Sequence, residues 1–257
     1  MKNKAFFGEF TRNDFSTIDQ NTIAVVPIGA IEQHGPHLPV NTDSLILDYI
    51  LAKAVQSCSK EVVLTPVIQY GYSPHHLCYK GVLSLQSETL LAMLKDIGRS
   101  LIHSGFLKIL FITGHGGNAQ IIGQAARDIG TSNSNVIVAS TTYWNIAHTA
   151  LIKKMRNLTT WVPGHAGLFE TSIVLAIRKD LVDMSKLDGV SIDKEKHNDI
   201  LFSNLRQQTY IERNNYHLLI QGMTDYPKAA TEELGKALLQ IINTDIVEFL
   251  IKLSEHE

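Results

Sequence analysis

Hydrophobic residues gather along this chain into two kinds of segment. Four short runs dense in β-branched residues, 22–28 (TIAVVPI), 61–68 (EVVLTPVI), 108–113 (KILFIT) and 135–140 (NVIVAS), are apolar almost continuously and do not alternate with polar positions. A strand buried on both faces reads that way, so each run predicts a strand of a parallel sheet. Segments 44–56, 87–103, 119–130, 170–178 and 232–253 instead space their apolar residues three and four apart, which predicts helices. Strand and helix therefore alternate, the pattern of an α/β protein whose parallel sheet carries helices on both faces through right-handed crossovers. The stretch 180–215 fits least: it mixes charged and amide residues (DKEKHND, NLRQQ) and predicts an excursion with a short helix or hairpin. With no internal repeat, low-complexity tract or composition break, a single domain over residues 1–257 is expected.

Composition narrows the picture. The 257 residues are 44% hydrophobic, enough for a large core. No segment approaches the roughly twenty uninterrupted apolar residues of a membrane span, and the start, MKNKAFFGEF, lacks the order of a secretory signal, so a cytoplasmic location is expected. A formal net charge of −2 without any Lys/Arg block argues against nucleic acid and anionic membrane as partners. A small molecule or short peptide is expected instead. Cys58 and Cys78 are expected to be free thiols, since a chain with this much core needs no staple.

Open α/β sheets bind ligands beyond the carboxyl ends of their strands, so the segments after each run carry the functional expectation. They are 29–43 (GAIEQHGPHLPVNTD), 70–76 (YGYSPHH), 114–118 (GHGGN), 143–145 (YWN) and 161–170 (WVPGHAGLFE). Six of the eleven histidines, His34, His37, His75, His76, His115 and His165, fall in these loops beside Gly, Pro or one another. Imidazoles and carboxylates at glycine-rich loop tips are the donors that Zn, Fe(II) and Mn(II) select. Glu32 and His34, two apart after a strand, project the same way if extended geometry persists. Asp43 opens the next predicted helix, where an acid also suits the helix N-terminus on its own account. Taken with Glu32, His34 and His115, ligation is the stronger reading. His37, His75 and His76 are expected either behind the ligands or facing substrate.

The segment 26–43 (VPIGAIEQHGPHLPVNTD) closely resembles the first signature of the creatininase (creatinine amidohydrolase) family. Residues 114–118 resemble its second motif, 165–172 (HAGLFETS) its third and 222–230 (GMTDYPKAA) its C-terminal loop, in order along nearly the whole chain. The resemblance implies a three-layer α/β/α fold with a mostly parallel central sheet, a homohexamer, and two divalent metal ions (Zn, Mn or Fe) per subunit. By motif position Glu32 and His115 would hold one ion, His34 the other, and Asp43 would bridge them. Creatininase has a glutamate two residues after the motif histidine, where this chain has Gly117. Glu170, a catalytic candidate with His165, is then the nearest residue to complete the second site, the alternative being a partner behind the ligands. His165 matches the family's catalytic histidine, and Tyr143, Trp144 and Trp161 match pocket aromatics, with Ser73, His75 and His76 as further substrate-side candidates. The aspartate after the second tryptophan of creatininase is Val162 here, which argues against creatinine as substrate, because buried polar groups of a ligand need partners.

The activity so implied is metal-dependent hydrolysis of a C–N bond in an amide, lactam or formamide by a metal-bridged hydroxide, with His165 donating a proton to the leaving nitrogen. Relatives outside creatininase proper include a formamidopyrimidine deformylase, a mycofactocin precursor peptidase and a hydrolase of oxidised inositols, so a cyclic ketone substrate is the enzymatic alternative. A nucleotide-binding reading of residues 114–118 lacks the Lys and Ser/Thr of a P-loop and leaves Glu32, His34 and Asp43 unexplained. A non-catalytic metal-binding protein would enclose its ions without an open position.

Overall fold

The computed structural model describes residues 4–159, 162–190, 218 and 221–256. Strand β1 (Ile23–Ile28), buried at every position, lies between β2 (Val62–Leu64) and β3 (Lys108–Thr113), with β4 (Ile137–Thr142) beyond β3. All three pairings are parallel. Ile28 pairs with Thr113 and Thr113 with Thr142, so three strands end level, and the loops that follow them meet at one edge of the sheet.

Alternation of side chains along the strands divides the core in two. Ile23 and Val25 of β1 join Leu110 and Ile112 of β3 under α1 (Thr42–Ser57), α5 (His148–Met155), α6 (Leu168–Arg178) and α7 (Glu232–Glu255), while a one-turn α4 (Tyr143–Ile146) contributes Tyr143. Ala24, Val26 and Ile28 join Ile109 and Phe111 on the opposite face, under α2 (Ser87–His103) and α3 (Ala119–Ser132). Helix layers therefore cover both faces of the sheet, and the three-layer α/β/α expectation holds. Helices α6 and α7 cross so closely that a Cβ on Gly235 would run into the Ser172 carbonyl, which is why a helix interior tolerates glycine there.

Differences from the sequence-based expectation are local. The second strand is shorter than 61–68 because Pro66 has no N–H to give to the ladder; Thr65 N–H still reaches Val25 O at 2.9 Å, and pairing resumes at Ile68, whose N–H reaches Pro27 O at 2.9 Å. The fourth strand sits two residues later than 135–140, carried to Thr142 by its pairing along the full length of β3. Helix α1 starts two residues before the expected Ser44, and no side chain caps it. Residues 179–187 form short 3-10 turns at Lys179–Leu181 and Met184–Leu187, and the remainder of the 180–215 excursion lies outside the described residues. Both cysteines are free thiols. No described helix is long and apolar enough to cross a membrane.

Candidate metal centre

The loops after β1 and β3, the 70–76 segment and the start of α6 converge beyond the carboxyl edge of the sheet. Glu32, His34, Asp43, His115 and Glu170 are all buried there, with at most 4% of any residue exposed. Asp43 lies in the first turn of α1, whose N-cap residue Asn41 makes no side-chain capping bond. The two Asp43 oxygens diverge: Oδ1 lies 3.1 Å from His34 Nε2, and Oδ2 lies 3.1 Å from His115 Nδ1. Glu32 Oε2 stands 3.3 Å from the same His115 Nδ1, and Glu170 Oε2 stands 3.8 Å from His34 Nε2. The cluster thus has two halves that share one carboxylate.

Each imidazole is oriented from behind by a carbonyl. His34 Nδ1 donates to Glu32 O at 3.2 Å, and His115 Nε2 donates to Tyr72 O at 3.0 Å. The nitrogen left to each ring faces carboxylate oxygens, the arrangement by which outer partners aim a metal-binding histidine. Donor atoms around a tetrahedral zinc with bonds of about 2.1 Å are about 3.4 Å apart, and the contacts around His115 match that edge. Asp43 Oδ2 and Glu32 Oε1 are buried and make no well-aligned hydrogen bond, their near neighbours being imidazole nitrogens at 3.1 and 3.3 Å. Three carboxylates buried together with two such oxygens need positive charge, and this donor set fits a borderline divalent cation. Groupings able to hold an ion are His34 with Asp43 and Glu170, Glu32 with His75 and His115, and Glu32 with His34 and His165.

Electrostatics without an ion follow from the same geometry. Burial disfavours the charge on His34, but Asp43 first, then Glu170 and Glu32, outweigh it and raise the imidazole to about 10. His115 is likewise lifted well above its ordinary value against burial, chiefly by Glu32 and Asp43. Burial also works against the Asp43 carboxylate, yet His34 and His115 hold it far below the usual range. Glu170 goes the other way, to about 8, because burial and the nearby Asp43 and Glu32 outweigh the attraction of His34.

Around the centre the sequence-predicted residues divide. Ser73 Oγ donates a short hydrogen bond to Glu32 Oε2, and His76 Nε2 lies 3.3 Å from Glu32 Oε1; both residues are buried beneath the carboxylate. His75 is half-buried and stacks on His115 with centroids 5.5 Å apart. His165 is half-buried, with Nδ1 3.6 Å from Glu32 Oε1. Tyr143 is buried edge-on against Trp144, 4.9 Å between centroids. Burial, then Glu170 and Asp43, push its phenol well above the ordinary value. Trp161 lies outside the described residues. His37 is buried away from the centre, bonded to Thr171 Oγ1 at 2.8 Å, and burial lowers it to about 4.

Several residues that carry no signal of their own in the sequence hold this arrangement. Ala166 takes a left-handed φ of 50°, an uncommon conformation for a residue with a Cβ, and its N–H meets Glu170 Oε2 at 2.6 Å. Thr224 clamps His165, accepting from its N–H at 2.7 Å and donating its own N–H to the His165 carbonyl at 2.9 Å. Asp225 Oδ1 caps α6 through Leu168 N–H at 2.9 Å and packs so tightly on Gly167 that no Cβ fits there. The motif at 222–230 is visible in the sequence, but its contact with the 165–170 loop is not. Gly117 has a similar cause: a Cβ there would stand closer than 3.0 Å to both His115 Nε2 and Tyr72 O. The hydrogen bond between His115 and Tyr72 thus leaves no room for a side chain at position 117.

Known proteins are similar to this chain in sequence and in fold. A creatinine amidohydrolase from Pseudomonas putida is 29% identical over 204 residues, covering 73% of this chain and 77% of that protein. A mycofactocin precursor peptide peptidase from Mycolicibacterium smegmatis is 30% identical over 169 residues, 62% of this chain and 59% of its own. Among solved structures, a zinc–zinc form of a mutant creatininase and a manganese creatininase each superpose with a TM-score of 0.78 at 24% identity, covering 97% of this chain and 98% of theirs. The creatininase model, described as creatinine amidohydrolase, matches residues 8–250, and the chain belongs to the creatininase family.

Proposed function

We propose that this protein is a metal-dependent amidohydrolase that cleaves an amide, lactam or formamide C–N bond in a small molecule or short peptide. The observation that carries the reading is the splitting of the buried Asp43 carboxylate between two imidazoles, 3.1 Å from each. Glu32, Asp43 and His115 would hold one divalent ion, and His34, Asp43 and Glu170 the other. Ions held there supply Lewis-acid polarisation of a carbonyl oxygen and water of lowered pKa. The residues of the chain do the rest. Ser73 and His76 hold the Glu32 carboxylate from below. His165, tied through its backbone to Thr224, carries a proton to the leaving nitrogen, a transfer typically worth about a hundredfold to ten-thousandfold in rate.

The substrate lies on the side of His75, Trp144 and Tyr143; Trp161, outside the described residues, is a further candidate by its motif position alone. Val162 packs against the hydrophobic core where creatininase has an aspartate, which supports a substrate other than creatinine. The relatives' own substrates, creatinine and a precursor peptide, support the C–N bond as the common target. The test is metal analysis together with turnover of a panel of amides, lactams, formamides and short peptides, with creatinine and an oxidised inositol alongside. Turnover of a C–N substrate that is lost on chelation and restored by zinc or manganese is expected. Activity confined to the cyclic ketone, or tightly held metal with no turnover of any compound, overturns the reading.

A further inference from the structure

Asn118 is fully buried at the start of α3, and the chemistry above gives it no part. It holds the N-cap position, where an amide side chain ordinarily turns back onto its own helix, yet it makes no capping bond. Its carboxamide reaches three other segments instead. Nδ2 donates to Gly29 O just after β1 at 2.9 Å and to Thr113 Oγ1 at the end of β3 at 3.1 Å, and Oδ1 accepts the Tyr72 N–H at 2.8 Å. Gly29 O can only accept and the Tyr72 N–H can only donate, so the partners fix the orientation of the amide, and both of its hydrogens are used. A Cβ on Gly71 would stand 2.5 Å from Gly29 O and 2.8 Å from Asn118 Oδ1. The 70–76 segment is therefore drawn against the amide with no room for a side chain between them.

The residue so held is the one that aims His115. Tyr72 O meets the His115 ring at 3.0 Å, and the next residue, Ser73, hydrogen-bonds through its hydroxyl to Glu32. Thr113 Oγ1, which takes one of the amide hydrogens, also accepts the His115 N–H at 3.0 Å. Ring and backbone of His115 are thus tied to the same carboxamide, each through one intermediate residue. Glu32 and His115, the two donors that belong to one half of the centre alone, are both braced from residues 72–73. The other half is braced elsewhere, His34 by Glu32 O in its own loop and Glu170 by the Ala166 N–H. We infer that Asn118 is a positioning residue for His115: it fixes the Tyr72 peptide that aims the imidazole, and so sets the metal affinity of the Glu32–His115 half in preference to the His34–Glu170 half. This rests on the metal-centre reading proposed above.

The experiment is zinc titration of the full chain against a competing chelator, in wild type, Asn118→Ala and the double variant Asn118→Ala/Glu170→Gln. Asn118→Ala should weaken one of two ions about 10- to 100-fold and leave the other within about threefold, and the double variant should weaken both. A merely structural role would lower both affinities alike; that result, or two unchanged affinities, overturns the inference. A second measurement needs no substitution. A bond that raises zinc affinity is itself strengthened by zinc to the same degree, so zinc should slow hydrogen exchange of the Tyr72 N–H by about 10- to 100-fold relative to the Leu85 N–H, which bonds Gly71 O. An unmoved ratio overturns the inference, and this measurement decides it if Asn118→Ala does not fold. Wild type that takes up no zinc would sink the metal-centre reading. The hold on His115 is then judged by a crystal structure of metal-free Asn118→Ala, in which the His115 ring should leave Tyr72 O; a contact kept at 3.0 Å overturns it.

Discussion

Replacing Gly117 by alanine tests whether the His115 orientation depends on the space at that glycine. The added Cβ would lie within 3.0 Å of His115 Nε2 and of Tyr72 O, and 3.1 Å from His115 Cδ2, so it would wedge into the 3.0 Å hydrogen bond joining them. Losing that bond costs about 1 kcal/mol. Overpacking beside a backbone oxygen adds about 1–3 kcal/mol. Against this, Gly117 has an ordinary φ, so alanine recovers about 0.4–1 kcal/mol from the unfolded chain. The net is about 2 kcal/mol of destabilisation, or about 4–8 °C in melting temperature for a chain of this size. Because Tyr72 O aims the ring, zinc affinity should also fall about 10- to 100-fold. Thermal unfolding of the metal-free protein and competition titration with a zinc chelator read the two effects. Gly116→Ala is the control, since its Cβ would meet nothing within 4 Å, and it should be neutral or slightly stabilising. A Gly117→Ala protein with wild-type melting temperature and zinc affinity would refute the reasoning.

Asp43→Ala should lose both metal and turnover, whereas His165→Ala should keep its metal and lose most turnover; a metal-depleted His165→Ala protein, read by elemental analysis, contradicts the division of roles. Glu170→Gln should lower metal stoichiometry towards one ion per chain, and unchanged stoichiometry would remove Glu170 from the ligands of the His34 half. Metal uptake should release protons, because His34, raised to about 10, and His115, also raised, are protonated at neutral pH in the metal-free chain and must be neutral to ligate. Affinity for zinc should therefore rise between about pH 6 and pH 8, by up to about tenfold per unit for each proton displaced. An affinity that is flat across that range, measured by titration in buffers of different ionisation heat, counts against these imidazoles as ligands.

Much of this protein is written locally. Continuous apolar runs announce buried parallel strands because a strand covered on both faces has no polar side to show, and β1 and β3 appear where those runs lie. Helix α2 matches its periodic segment end to end, residues 87–103. The metal-type donors are likewise legible, since Glu32, His34, Asp43 and His115 sit in loops too rich in glycine and histidine for packing alone to explain. Boundaries are less so: Pro66 cuts β2 short, and β4 is set by the strand it pairs with and not by its own composition.

What the chain alone determined, then, is which layers form and which residue types gather at one edge of the sheet, because periodicity and turn chemistry act over a few neighbouring residues. Only the tertiary structure decided how Asp43 divides its oxygens between His34 and His115, why Gly117 has no room for a side chain, and how Asn118 and Thr224 brace the segments that hold His115 and His165. Those relations are distances and directions between segments remote in sequence, and they come into being when the strand ends line up and bring their loops together.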